Sequence, residues 1–230
     1  MSQFWELQLT EIREQLLLMS SLTERNLALA MRALIDRDDR LCDLVEANDE
    51  KIDDMEIHID EMVVTYISTH GPIARDCRLM LAASKISSNL ERVADQATKI
   101  ARRSRELNTE PLLKQLIDIP MMADIAQEML RDSITAFVEA NNDLAVEIIA
   151  RDNSVDAINK QLARELTSYM IENPKTITRA LSLMTISAAI ERVADHATNI
   201  AEEVFYLNRG RTIRHDISIK QGGADRHSAE

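Results

Sequence analysis

Two cysteines, four glycines, four prolines and 3% aromatic residues are all that this chain of 230 residues holds of those types. Cys42 and Cys77 are far apart, so neither a disulfide framework nor a thiolate metal site is suggested, and two buried thiols in a reducing compartment are expected. So few glycines, placed as they are, cannot build a phosphate-cradling loop, which argues against ATP or GTP hydrolysis. Scarce aromatics and a net charge of −12 remove the stacking platforms and the concentrated cations that nucleic acid requires. The longest stretches free of Asp, Glu, Lys and Arg, such as 62–74, fall well short of the roughly 20 apolar residues of a membrane helix. No direct membrane insertion is therefore expected. Glu6 and Glu11 interrupt what would have to be an apolar export signal, so a cytoplasmic location is expected.

What remains is material for long helices. Up to position 210, glycine and proline occur only at Gly71, Pro72, Pro111, Pro120, Pro174 and Gly210, and the intervals between them are rich in Leu, Ala, Met, Glu and Arg. Apolar residues at Leu9, Ile12, Leu16, Met19, Leu22, Leu27, Met31 and Leu34 trace one stripe of an amphipathic helix. The polar run from Asp36 to Arg40 is the natural turn after it. The pattern predicts helices near 3–36, 41–70, 73–107, 121–140, 143–172 and 175–208.

The second half repeats the first. ERVAD at Glu91–Asp95 returns at Glu191–Asp195, and Ala97, Thr98, Ile100 and Ala101 match Ala197, Thr198, Ile200 and Ala201. With a small shift, Asp49, Asp53 and Pro72 correspond to Asp152, Asp156 and Pro174. One three-helix unit has been duplicated, each copy is expected to keep its own core, and the boundary falls near Pro111 and Pro120. The expected fold is all-α, two tandem antiparallel three-helix bundles over 1–110 and 120–208, followed by a polar C-terminal tail over 209–230.

Charge is unevenly spread. From Asp36 to Glu61 twelve acids face three bases. The basic cluster Lys99, Arg102, Arg103 and Arg105 stands near a predicted helix end, where cations complement the macrodipole; a partner-docking patch is the alternative. Residues four apart share a helix face, so Asp49 and Asp53, Glu91 and Asp95, Asp152 and Asp156, and Glu191 and Asp195 form four carboxylate pairs. Two pairs on neighbouring helices would place four carboxylates round one point, which suits a hard or borderline cation. Ordinary solvated faces balanced by Arg92 and Arg192 are the plainer alternative. Asn199 follows Asp195 by one turn and can add a neutral oxygen ligand, where Lys99 after Asp95 brings a competing charge. The second repeat is therefore expected to hold metal more tightly than the first. Small residues such as Ala82, Ala83, Ala94, Ala97, Ala194 and Ala197 would allow neighbouring helices to approach closely. A di-metal oxidase would need Glu three residues before His, and none of the five histidines has an acid there. His196 is expected to serve packing or the surface rather than ligation.

The stretch from Gly71 to Ile100, with Pro72, Asp76, Arg78, Leu79, Lys85, Glu91, Arg92 and Asp95 in place, resembles the third helix of the first repeat of the PhoU family. The stretch from Thr167 to Leu207 is similar to the corresponding helix of the second repeat. The resemblance implies a non-enzymatic cytoplasmic regulator of phosphate uptake. It would restrain the phosphate-starvation response in plentiful phosphate by contacting the ATPase of the phosphate ABC transporter and a membrane sensor histidine kinase, as a homodimer. It also implies that iron, zinc or another divalent cation can sit at the E/D-x-x-x-D motifs. The alternative from a different class is a metal-binding carboxylate bundle with a storage or redox role.

Overall fold

A computed structural model of the chain describes residues 2–213, with side chains from Leu7 onward. Six long helices follow one another: α1 (Ser2–Ile35), α2 (Asp39–His70), α3 (Ala74–Asn108), α4 (Asp118–Glu139), α5 (Asn142–Glu172) and α6 (Ile177–Arg209). A single 3₁₀ turn, Pro174–Thr176, precedes α6. No strand occurs among the described residues. The result is the expected pair of tandem antiparallel three-helix bundles, α1–α3 and α4–α6. Of the polar tail only the part up to Ile213 lies within the described residues.

The turns have local causes. Asp38 caps α2 by accepting a hydrogen bond from the Arg40 amide at 3.0 Å. The preceding Arg37 adopts a left-handed φ of 56°, and Ala140 does the same with φ 54° in the α4–α5 turn. Asn141 then caps α5 through the Leu144 amide. Gly71 ends α2 at φ 54°, a conformation glycine reaches without a Cβ penalty, and Pro72 cannot continue the helix. The start of α4 comes three residues before the expected 121, because Pro120 is tolerated within a first helical turn, where its missing amide would have no partner.

Burial separates central from flanking helices. In α2 the buried positions Val45, Ile52, Ile59 and Tyr66 recur every seven residues, a narrow stripe on a helix otherwise open to water. In α3 the buried set is broad, running through Leu79, Ala83, Ile86, Leu90, Ala94, Ala97 and Ala101, and α6 is alike. These two helices pack on each other and each on both helices of its own half, while α1 also touches α4. The alanines allow that close approach, as expected. The two cores are not separate, however. The buried apolar side chains form one continuous cluster through both halves, since α3 and α6 each present apolar surface on two sides. Burying a Leu or Ile side chain contributes about 1.5–3 kcal/mol, so this shared seam is a major source of stability. Lys85 on α3 spans it by pairing with the buried Glu203 on α6 at 3.0 Å, and its ammonium stands 5.8 Å from the Tyr206 ring centre. Of the two cysteines only Cys42 is buried; Cys77 is half-buried.

Candidate functional site

The packing of α2 on α3 brings Asp49, Asp53, Glu91 and Asp95 together, and that of α5 on α6 brings Asp152, Asp156, Glu191 and Asp195 together. The effect on proton affinity is direct. Burial, with repulsion from Asp95, Glu56 and Asp53, pushes the Glu91 carboxyl up to about 7 against the opposing charge of Arg92. Burial also raises Asp49 and Asp53, and Asp95 repels both. In the second cluster burial raises Glu191, with Asp195, Asp156 and Asp152 adding repulsion. Buried Asp49 Oδ1 makes no hydrogen bond; the Thr98 hydroxyl lies near enough to oppose the rise in proton affinity but outside hydrogen-bonding geometry. In the side-chain arrangement described, no three His, Cys, Asp or Glu residues converge as a closed ligand set among the described residues. The carboxylates face each other without being gathered round a point.

Two participants were not singled out from the sequence. Glu56 joins the first cluster, three residues after Asp53 on the same face of α2. Lys160 enters the second, pairing with Asp156 at 2.8 Å and feeling Glu191 and Asp152 as well. Both were signalled by helical spacing alone, at i+3 and i+4 from a candidate ligand. Lys99, the expected competitor, lines a groove with Asp49 and Asp95 yet forms no ion pair among the described residues. The lysine that meets a carboxylate therefore belongs to the second cluster.

Asn199 lines a groove of about 560 Å³ beside Asp152 and Asp195, together with Arg92, Arg192 and His196. His196 sits between the halves. The Asn89 amide donates to the Lys85 carbonyl at 2.8 Å, which leaves its oxygen to accept from His196 Nδ1 at 3.0 Å. Burial pushes the imidazole down to about 4, helped by the charges of Arg92 and Arg192, so the ring is neutral at pH 7. This is the packing role expected for it.

The basic cluster stands near the end of α3 as expected, with Arg105 in its last turn, and three of its members also form ion pairs. Arg105 pairs with Asp43 at 2.7 Å and with Glu46, Arg102 pairs with Glu46, and Arg103 pairs with Glu106. Burial alone would raise the Glu46 carboxyl, but hydrogen bonds from Arg105 and Arg102 bring it below its ordinary value. The end of α3 thus answers part of the acidic run on α2.

Known proteins share this fold. The PhoU domain family model matches residues 16–104 and again 119–204, one match in each half. A Pseudomonas putida protein named as a phosphate-specific transport system accessory protein PhoU homolog is 39% identical over 215 residues, covering 93% of this chain and 84% of its own length. The crystal structure of PhoU from Pseudomonas aeruginosa superposes with a TM-score of 0.88 at 36% identity, over 90% of this chain and all of that one. The phosphate transport system regulatory protein PhoU from Streptococcus pneumoniae, 24% identical, shares the fold with a TM-score of 0.85 over 91% of this chain and 99% of its own.

Proposed function

The chain belongs to the PhoU family, and on that premise we propose that it acts as an accessory protein of a phosphate-specific transport system. The observation that carries this reading is the family match in each half separately. In its finer form the role is regulatory and not catalytic. In phosphate-replete cells the protein, a cytoplasmic homodimer, restrains the ATPase of the phosphate ABC transporter and the signalling of the membrane sensor histidine kinase. No helix among the described residues is long and apolar enough to cross a membrane, which accords with action from outside the bilayer. Deleting the gene is expected to leave phosphate-starvation genes switched on in rich phosphate. A reporter that stays silent in the deletion strain overturns the regulatory role.

The carboxylate clusters serve this role as cation sites. Their all-oxygen donor set, the burial and mutual repulsion that raise Glu91 and Asp49, and the Asp49 Oδ1 left without a hydrogen bond among the described residues support a divalent cation, whether iron, zinc or a harder ion. Asp49, Asp53, Glu91 and Asp95, with Glu56, would hold it in the first half. Asp152, Asp156, Glu191, Asp195 and Asn199 would hold it in the second. A bound ion supplies the positive charge that lets neighbouring helices keep these acids face to face. The first cluster is the tighter of the two, because a cation in the second competes with Lys160 for Asp156. Elemental analysis combined with an oxidase assay separates this role from storage or redox chemistry, which would appear as metal-dependent turnover.

A further inference from the structure

Duplication places a hollow at each end of the α3–α6 pair, and the two hollows differ. Where α3 ends, the linker 109–117 lays Leu113 and Leu116 into its hollow and leaves only about 20 Å³. Arg37 Nη2 donates to the carbonyls of Leu107, Asn108 and Glu110 at 3.3, 2.7 and 2.6 Å, and Arg179 donates to that of Pro111 at 3.0 Å. Where α6 ends, Ala140 occupies the left-handed turn position that Arg37 holds in the first half, and it has no side chain that could do the same.

A cavity of about 640 Å³ opens there instead, between α1, α3, the end of α4 and the end of α6. Three arginines line it, Arg13, Arg75 and Arg78, with Asp76 as the only acid on the wall among the described residues. Although the chain carries 39 acids, none of the three guanidinium groups forms an ion pair among the described residues. Arg78 lies against Gly210, where an added Cβ would come within 3.9 Å of its Cζ. Its Nε is buried without a hydrogen-bond partner among the described residues. A buried donor left unsatisfied costs about 1–3 kcal/mol. Leu79, Phe137 and Val138 add an apolar wall. Along α3 the cavity is about 20 Å from Glu91, so it is separate from the carboxylate clusters.

The geometry points to a binding site for a phosphate-bearing small molecule, its phosphoryl oxygens held by Arg13, Arg75 and Arg78. The planar fork of a guanidinium matches phosphate oxygens in pairs, and three such forks supply the charge that a dianion needs. Inorganic phosphate and a phosphate ester share this chemistry; an ester would also use the apolar wall. The inference goes beyond the accessory role and does not rest on it.

Calorimetric titration of the full chain with inorganic phosphate and with phenyl phosphate tests it. At least one is expected to bind saturably, and Arg78→Gln to weaken that binding by about tenfold or more. Tighter binding of phenyl phosphate assigns the site to an ester, whereas binding of the inorganic ion alone assigns it to free phosphate. Arg13→Gln, at an exposed position, gives a second variant whose folding does not depend on the cavity, and the same weakening is expected. Absence of saturable binding for both probes at about 1 mM overturns the proposal. So does binding that both variants leave unchanged.

Discussion

The first half has Ile57 where the second has Lys160, and Arg37 where the second has Ala140. Both positions lie outside the shared ERVAD stretch, and both change how charge is answered. Lys160 relieves the second carboxylate cluster, while Ile57 leaves the first to its own repulsion, with the Glu91 carboxyl raised to about 7. Arg37 ties the end of α3 to the linker, while Ala140 leaves the end of α6 beside an open cavity. A duplicated unit has kept its helices and has divided its polar chemistry between the copies.

The comparison can be broken most severely at the linker. Arg37→Ala removes hydrogen bonds from a cation to three carbonyls and is expected to destabilise the protein by about 2–3 kcal/mol, read from urea denaturation. A loss no larger than that of an ordinary exposed substitution would show that the linker holds its place without Arg37. The clusters come next. Asp95→Ala is expected to weaken divalent-cation binding by about tenfold more than Asp195→Ala does, and Lys160→Met to narrow that gap. Equal losses from the two aspartates would mean that Lys160 does not compete.

A third measurement uses pH. An acid whose folded pKa lies above its unfolded value holds its proton more tightly in the folded state. Its contribution to stability is complete below the ordinary value of 4.5 and is lost as pH rises through about 7. Glu91→Gln is therefore expected to stabilise the metal-free protein at pH 8 by about 1 kcal/mol, after allowing for water at a half-buried carboxyl, and to change little at pH 4. Glu191→Gln should give a smaller gain of the same sign. A gain for Glu191→Gln larger than for Glu91→Gln would reverse the ranking of the clusters. The smallest effect belongs to the turn. Ala140→Gly relieves a left-handed alanine and should add about 0.5 kcal/mol, whereas unchanged thermal stability would show that the turn carries no strain.

Much of this molecule was legible in its residues. The stripe Ile12, Leu16, Met19, Leu27, Met31 and Leu34 is buried as its spacing requires, and the turn at Asp36–Asp38 falls within the polar run that marked it. Helical periodicity works because a face is set by residues close along the chain. Pairing across helices is not set that way. Nothing in the order of residues says that Arg102 and Arg105 reach Glu46 on α2, or that Lys99 forms no ion pair with Asp95 four residues before it. The expected ranking of the two clusters rested on Lys99, a neighbour along the helix, and did not consider Lys160, which pairs with Asp156.

By itself the sequence determined six helices, their duplication, and four carboxylate pairs at four-residue spacing, because these follow from local propensity and from the 3.6-residue turn. Tertiary structure alone decided that the two cores merge along α3 and α6 and that, among the described residues, the linker fills one hollow while its counterpart stays open and Arg78 Nε is buried without a partner. Those outcomes depend on distances between residues dozens of positions apart. Such distances arise only when the helices pack, and burial then sets how much each unanswered charge costs.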